Sequence, residues 1–564
     1  MEEGRKLEAH EVASIDGVGV SLAREKPNST RNNIIVYNYS PAMSLLSQSA
    51  ECIPSNELQR WRFVRCFYQL NCDSRSPTDS GPQGTPIHIL SNDALLNLFS
   101  LCRPVLLNDD EAEDDRVLEG GDWDGECWWY NLVRVCRRWR YLILGSPSYL
   151  RLCLVCTTGT PVAHMLANSP PLPLIIDHIL KDQDHDITTE DEEGLLLALQ
   201  HHHRVRRIRL EMPVPNLQKL VTAMDEEFPM LEFLCITAPT EQDASLVLPQ
   251  TLQAPNLRHL LLDNVTFPIT SPLLTPTAGL ATLSLMEIPS SANLRPNDLL
   301  QRLALMPQLE TLGIGFHSPL SSRDIERQLS RMPIVHVTLP NLRWFGFRGV
   351  SAYLEALLPR IAAPLLEKFQ ILFSSQLTFS VPHLLEFIRP AENLRFSSAR
   401  LIFHEGGIST RVYPYEGAKM YALFVNVGCK QIDWQVASAA QILNTLKSVF
   451  SSVEHLTLEC EMDAMSLEWH HETDPAQWRK LLESFNDMKT LFVDTGLAGD
   501  LSRSLQLDDG EPLPVELLPE LKEVSYSAID DADAIFTPFI DARQKAGRPV
   551  TLVRRDTTSS ESFR

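Results

Sequence analysis

The chain lacks the features that define several large functional classes. Its longest apolar runs, such as Leu195 to Leu199, fall far short of the roughly 20 residues that span a bilayer. It also lacks an excess of cations: the net charge is -22 over 564 residues, whereas affinity for phosphate needs clustered positive charge. Residues 1–10 contain no apolar segment, so no secretory signal is expected. We therefore expect neither a membrane nor a nucleic acid as partner.

Recognisable catalytic and metal-binding motifs are missing too. The 11 cysteines follow no regular framework, which favours reduced thiols and a cytoplasmic or nuclear location. Cys153 and Cys156 have the spacing of a metal or redox pair, but no second pair accompanies them, and residues 150–155 alternate like a strand. His201 to His203 are consecutive, so their side chains point in different directions. With no phosphate-binding glycine loop or nucleophile elbow, we expect no enzyme, no cofactor and no metal site.

Both ends of the chain are predicted to be poorly ordered. Residues 74–86 are rich in serine, proline and glycine, the composition of a linker. We therefore predict that residues 1–85 form a poorly ordered extension that ends in this linker. Residues 554–564 are predicted to be a disordered tail.

Residues 86–155 predict a small helical module. Leu95, Leu98 and Phe99 recur at helical spacing after Ser91, a candidate N-cap. A second apolar stripe runs through residues 128–144 as one helix, with Trp139 in the expected core. Between the two stripes, residues 109–126 carry ten acidic side chains and one arginine, a charge density that a packed core cannot hold. We predict that this segment is a solvated loop.

From about residue 200 onward, the unit apolar-x-x-apolar-x-apolar recurs. The clear copies are Val205/Ile208/Leu210, Leu231/Leu234/Ile236, Leu257/Leu260/Leu262, Leu280/Leu283/Leu285, Leu309/Leu312/Ile314, Leu342/Phe345/Phe347, Leu366/Phe369/Ile371, Val453/Leu456/Leu458, Met488/Leu491/Val493 and Leu521/Val524/Tyr526. Cys429/Ile432/Trp434 is a weaker copy, and residues 396–403 are predicted to hide another.

This repeat predicts a stacked α/β architecture. The last two apolar positions alternate, which is typical of a short strand with one buried face. The following segments often have helical spacing, as at residues 297–306. One strand and one helix cannot bury their apolar faces alone, whereas stacked copies share a continuous core. We predict an irregular leucine-rich-repeat-like α/β solenoid over residues 156–553; a generic leucine-rich α/β domain is the alternative.

The helical module resembles an F-box, the short domain that docks onto the Skp-family adaptor of cullin–RING ubiquitin ligases. Leu90-Ser91-Asn92-Asp93 corresponds to the family's entry into its first helix, and Leu98-Phe99 to the end of that helix. Val135-Cys136-Arg137-Arg138-Trp139 matches the family's Val-Cys-(Arg/Lys)-x-Trp signature, and Ser146-Pro147 and Leu150 follow it. Ser91 replaces the usual proline, and the acidic insertion separates the helices more than usual. The whole arrangement resembles fungal F-box-like proteins with irregular repeats.

The resemblance implies a non-enzymatic adaptor that recruits an unknown protein substrate to an SCF-type ubiquitin ligase. Its partners would be a Skp-family adaptor and, through it, a cullin. The docking residues implied by the resemblance are Leu90, Leu95, Leu98, Phe99, Val135, Cys136 and Trp139. The alternative is a repeat scaffold that binds proteins but does not act in ubiquitination.

The partner-binding surface is predicted from the strand pattern. Residues that alternate with the buried positions point to the concave face of a curved repeat array; the candidates are Arg207, Arg209, His259, Trp344, Arg348 and Lys368. An exposed tryptophan flanked by cations is typical of an interface anchor. Trp344 packing on a neighbouring strand or loop is the alternative. The arginines at 204, 206, 207 and 209 form either a patch for an acidic or phosphorylated segment or a solvated face.

Overall fold

A computed structural model describes residues 90–102, 128–179, 187–239, 246–274, 279–289, 294–317, 335–374, 376, 378–461, 474–505, 517–527 and 532–555. The chain divides into Met1–Thr85 and Pro86–Arg564, and all described residues belong to the second unit. The predicted extension at 1–85 and the acidic loop at 109–126 lie outside the described residues. The predicted tail at 554–564 begins two residues too early, because the last strand includes Arg554 and Arg555.

The described chain begins with four short helices. They are α1 (Asn92–Cys102), α2 (Trp129–Val133), α3 (Arg137–Gly145) and α4 (Pro147–Leu150). The hydroxyl of Ser91 accepts a hydrogen bond from the backbone N–H of Ala94, as predicted for an N-cap. The single helix predicted over 128–144 is wrong, since Cys136 is extended and its sulfur caps α3. Trp139 is only 4% exposed and its ring lies 4.9 Å from that of Phe99, so its predicted place in the core is confirmed.

A 16-stranded sheet runs through the rest of the described fold. Its strands are β1 (Leu154–Cys156), β2 (Leu174–Ile179), β3 (Val205–Glu211), β4 (Phe233–Thr237), β6 (His259–Asp263), β8 (Thr282–Ile288), β9 (Thr311–Phe316), β11 (Trp344–Gly349), β13 (Lys368–Phe373), β14 (Ser398–His404), β15 (Gly407–Tyr413), β16 (Leu423–Gly428), β17 (His455–Glu461), β18 (Thr490–Val493), β19 (Glu523–Ser527) and β20 (Thr551–Arg555). Two further pairs stand outside it: β5 (Leu246–Val247) with β7 (Val265–Thr266), and β10 (Val337–Thr338) with β12 (Ile361–Ala362).

The order of the strands is that of a repeat array. From β1 to β13, each strand of the large sheet pairs in parallel with the next one along the chain, and the same holds from β17 to β20. Parallel neighbours need a return segment between them, and several returns are helical. All three apolar positions of the ten predicted copies are at most 4% exposed. The observed fold is therefore a mixed α/β array in which stacked repeats share one core.

The return helices lie between consecutive strands. They are α5 (Val162–Asn168), α6 (Thr189–Gln200), α7 (Val214–Thr222), α8 (Pro296–Leu303), α9 (Ser351–Leu357), α10 (Pro382–Ile388), α11 (Ile432–Thr445), α12 (Lys447–Phe450), α13 (Pro475–Leu482), α14 (Thr495–Leu505) and α15 (Ala532–Lys545). Neighbouring returns pack against each other, as α11, α13, α14 and α15 do in succession. Among the described residues, no helix is both long and apolar enough to cross a membrane.

The array is interrupted once, by a three-stranded meander. After β13 the spatial order is β16, β15, β14 and then β17, so these three strands stand in reverse of their chain order. β15 is antiparallel to both of its neighbours, and every other pair in the large sheet is parallel. Residues 396–403 do hide a repeat, since Phe396, Ala399 and Leu401 are buried around β14. The copy predicted at Cys429/Ile432/Trp434 is wrong: its last two residues belong to α11, and the strand there is β16.

Candidate protein-interaction surface

One face of the large sheet is covered by the core, and the other, which we call the open face, carries the alternate side chains. Strand register aligns these side chains in rows that run across the array. The first row contains Arg207, Phe233, His259, Thr282, Thr311, Trp344 and Lys368. Arg209 lies in the second row and Arg348 in the third. All six residues predicted for the partner surface therefore lie on the same face.

Trp344 is held flat by glycines beneath it. A Cβ atom at Gly346 would lie 2.9 Å from Cζ2 of Trp344 and closer still to Cη2, and one at Gly313 would lie 3.4 Å from Cζ3. The indole therefore covers the backbone of β11 and reaches that of the neighbouring β9. The side chain of Trp344 is nevertheless only half-buried. Trp344 thus packs on a neighbouring strand and also presents a flat apolar surface to solvent.

The start of the array carries a chain of aromatic and polar contacts on this face. The guanidinium of Arg207 lies 4.7 Å from the ring centre of Phe233. That ring lies 6.0 Å from the ring of His259, whose Nδ1 is 3.0 Å from the hydroxyl of Thr282. These contacts join four successive strands, β3, β4, β6 and β8, in one row of side chains.

The four neighbouring arginines do not form a single patch. Arg204 donates two hydrogen bonds to the carbonyl oxygen of Leu172, and Arg206 pairs with Glu232 at 2.9 Å. Only Arg207 and Arg209 lie on the open face, and Arg209 is 8% exposed. The four side chains are therefore held by different partners, and two of them at most can contribute to a cationic surface on the open face.

Arg348 is tied to an acidic group at the carboxyl ends of the strands. It forms an ion pair with Glu287, which also lies 3.2 Å from Nδ1 of His317. Glu287 has a φ of 46° within an irregularity between β8 and β9. Burial, together with the charges of Glu287 and Glu211, raises the pKa of Asp263 to about 6, against the opposing effect of Arg348. Arg348 therefore serves an internal charge cluster as well as facing outward.

The meander adds functional candidates that the sequence did not reveal. Nζ of Lys368 lies 4.1 Å from the ring centre of Tyr421. That ring is 5.3 Å from Phe424, over which Arg411 lies at 5.9 Å. Tyr421, Phe424 and Arg411 were missed because β15 and the segment leading into β16 do not follow the repeat pattern. The one signal available was a β-branched residue at each alternate position of β15, Ile408, Thr410 and Val412.

A serine and a histidine meet on the meander without forming a catalytic pair. Nε2 of His404 lies 3.3 Å from the hydroxyl oxygen of Ser409. The backbone N–H of Gly406 donates to Nδ1 of His404 at 3.2 Å, so the neutral ring carries its proton on Nε2. Burial is the main cause that lowers the pKa of His404; the charge of Glu461 opposes this shift, and that of Arg411 adds to it. Because His404 donates to Ser409, it cannot remove the serine proton as a general base.

The residues implied to dock an adaptor fall into two groups. Leu95, Phe99 and Trp139 are buried inside the helical module. Leu90, Leu98 and Cys136 are half-buried, and Val135 is 47% exposed. Arg138 of the signature donates to the carbonyl oxygen of Leu90 at 2.6 Å and to Asn92, so it ties α3 to the entry of α1. Three further apolar side chains of the module are exposed: Leu101, Tyr141 and Tyr149.

The candidate metal ligands are not brought together. Cys153 and Cys156 are three residues apart around β1, and both are buried. His201 to His203 span the end of α6 and a single turn, where Nδ1 of His202 contacts the carbonyl oxygen of Glu227 at 2.8 Å. Within the described ranges, no group of three or more histidine, cysteine or acidic side chains is arranged to hold a metal ion.

Comparison with known proteins found few similarities. No protein-family model matches the chain, and no curated protein matches it. Among solved structures, a leucine-rich repeat-containing protein from Legionella pneumophila, LegL7, is similar, with a TM-score of 0.22 and 11% identity over 71% of this chain and 99% of that chain.

Proposed function

We propose that this protein is a non-enzymatic interaction scaffold that binds a protein partner on the open face. One observation carries the proposal: Trp344 lies flat over Gly313 and Gly346, half-buried, with Lys368 beside it in the same row and Arg348 two rows further along β11. A rigid aromatic side chain with cationic neighbours is the composition of an interface hot spot. The sheet beneath is a packed array, so the surface is already organised before a partner binds.

We further propose that the helical module docks a Skp-family adaptor, which would make the protein the substrate receptor of a cullin–RING ubiquitin ligase. The support is the signature Val135-Cys136-Arg137-Arg138-Trp139 and the exposed apolar side chains beside it. Because Leu95, Phe99 and Trp139 pack internally, we assign docking to Leu98, Leu101 and Val135. The internal packing of Leu95, Phe99 and Trp139 is also consistent with the alternative, in which the protein is a scaffold and its helical module docks no adaptor.

Affinity purification of the full chain tests both parts. A Skp-family protein and a cullin should co-purify with it, and proximity labelling should identify a further partner. Trp344→Ala should lose that further partner, whereas Trp434→Ala, which removes an exposed tryptophan from α11, should retain it. Absence of adaptor and cullin, with the partner retained, would favour the scaffold without a role in ubiquitination. Equal partner capture by Trp344→Ala and the unaltered chain would contradict the open-face assignment.

A further inference from the structure

The meander places two arginines side by side on the open face. Arg400 of β14 and Arg411 of β15 are direct cross-strand partners, and like charges directly opposite each other destabilise a sheet. Arg400 is compensated by an ion pair with Glu459. Arg411 makes no ion pair with any described residue, and its buried Nε has no hydrogen-bond partner. Its guanidinium lies over Phe424 instead.

Ser409, on the same strand as Arg411, offers a hydroxyl donor. The side-chain amide of Asn426 donates to the hydroxyl oxygen of Ser409 at 2.7 Å. His404 also donates to that oxygen, because the N–H of Gly406 occupies Nδ1 of the histidine. With two hydrogen bonds already accepted, Ser409 has its own hydroxyl proton left to donate. Ser409 and Arg411 are two residues apart in β15 and therefore project from the same face.

The positive charge of Arg411 and the hydroxyl donor of Ser409 favour an anionic ligand. We propose that Arg411 binds the carboxylate of an acidic segment of the partner protein, with Phe424 holding the guanidinium in place and the hydroxyl of Ser409, a residue only 7% exposed, as a second donor at the base of the site. This proposal rests on the proposed function, since it names the chemistry of the partner on the open face. A guanidinium is suited to two parallel hydrogen bonds with a carboxylate.

The local charge balance favours a carboxylate over a phosphate. Arg400 is already paired with Glu459, so Arg411 is the one arginine of β14 and β15 that has no ion pair among the described residues. A carboxylate brings one negative charge and a phosphate nearly two. The second charge would lie on the same face as Glu459 and Glu461, which end β17, the strand beyond β14. The favoured occupant is therefore an aspartate or glutamate side chain.

Fluorescence anisotropy with the full chain at low ionic strength tests the assignment. The probes are three labelled Gly/Ser peptides of equal length, which carry glutamate, glutamine or phosphoserine at alternate positions. The glutamate peptide should bind, and the glutamine peptide should bind at least about tenfold more weakly, the factor expected for loss of a charged hydrogen bond. High salt should weaken the glutamate peptide's binding.

The variants locate the binding on the meander. Arg411→Gln should weaken the glutamate peptide by about tenfold or more, and Arg411→Lys by less, because lysine keeps the charge but loses the fork. Arg343→Gln is the matched control: it removes the same charge from an exposed pair with Glu367 and should leave affinity within about twofold. Ser409→Ala should also weaken binding, which keeps the test available if an Arg411 variant unfolds.

The outcomes that overturn the proposal are equally defined. Equal binding of the glutamate and glutamine peptides, or an Arg411→Gln that behaves like Arg343→Gln with an unchanged melting curve, would remove the carboxylate site. Tighter binding of the phosphoserine peptide would overturn the choice of carboxylate. If Trp344→Ala abolishes partner capture while Arg411→Gln leaves both capture and peptide binding intact, the proposed function stands and this inference fails.

Discussion

At the scale of single residues, the position of Trp344 on the open face depends on two glycines, which have no side chains to displace its ring. The ring of Trp344 occupies the space that a side chain at Gly346 would take, and it would touch a side chain at Gly313. The two glycines are Cα partners in register across β9 and β11. Packing of the indole on this backbone favours one rotamer, which lowers the entropy lost when a partner binds.

Gly346→Ala should therefore destabilise the protein through Trp344. The added methyl group forces the indole to move or the strand to shift, at a cost of about 1–3 kcal/mol. In a Trp344→Ala background the same change should cost much less, because the obstructing ring is gone. Urea unfolding of the two single variants and the double variant measures this coupling. Gly279→Ala, at a position with nothing within 4 Å of the added atom, should be near neutral in both backgrounds.

Asp263 gives the face a pH dependence with a defined sign. Its pKa is about 6 in the folded protein against 3.8 for an ordinary aspartate, so ionisation destabilises the folded state. The penalty is absent below pH 3.8 and complete above pH 6, and it amounts to at most about 3 kcal/mol.

Asp263→Asn should accordingly raise the free energy of unfolding at pH 7.5 and make no difference near pH 3.5. Denaturant midpoints at the two pH values measure the effect. Glu226→Gln, which removes an exposed acid, controls for the change in net charge. An Asp263→Asn variant that is less stable at pH 7.5 would show that attraction to Arg348 outweighs the burial of the carboxylate.

At the scale of secondary-structure elements, the helical module and the meander depart from the repeat for different reasons. The module is held by a small apolar centre in which Phe99 of α1 meets Trp139 of α3. The meander instead consists of antiparallel strands: a two-residue turn joins β14 to β15, and a longer segment, residues 414–422, joins β15 to β16. Parallel strands cannot be joined in that way, so the reversal of direction at β15 is what permits the short turn between β14 and β15.

Trp139→Ala should loosen the helical module selectively. Truncation of a buried aromatic side chain costs about 3–5 kcal/mol, and this side chain is 4% exposed. Hydrogen exchange of the full chain should show faster exchange in α1 to α4 with the repeats unchanged. Trp434→Ala, at a position that is 47% exposed, should leave the pattern as it was. Unchanged exchange in Trp139→Ala would mean that other contacts hold these helices.

At the scale of the whole molecule, the two proposed binding surfaces belong to different parts of the chain. The helices end at Leu150, before β1, whereas Trp344 lies on β11, eighth in the order of the large sheet. At about 4.8 Å between neighbouring strands, seven steps separate them by roughly 30 Å. Sites that distant, with no shared contacts, usually contribute additively.

Adaptor docking and partner capture should therefore be separable. Val135→Glu should weaken binding of the Skp-family protein and leave partner capture intact, and Trp344→Ala should do the reverse. Leu305→Glu provides a matched control, because Leu305 is as exposed as Val135, at 48% against 47%. Both interactions are measured in one co-precipitation, with circular dichroism to check the fold. Joint loss of both partners in a folded variant would require a single composite interface.

The sequence alone determined the phase of the repeating strands. In each of the ten clear copies, all three apolar positions are buried, because alternation along a strand is a local property that fixes which side chains share a face. The same alternation correctly assigned Arg207, Trp344 and Lys368 to the opposite face. Helical spacing of apolar residues likewise identified Trp139 as a core residue.

Only the tertiary structure decided which strands are neighbours. The reversed order of β14 to β16 brings Arg411 beside Arg400 and Phe424, although no spacing in the sequence relates these residues. The sequence likewise did not indicate that Gly313 of β9 lies beneath Trp344, or that the helix predicted over 128–144 divides at Cys136. Pairing and register depend on contacts between residues far apart in the chain, whereas periodicity reports only which face of its own element a residue occupies.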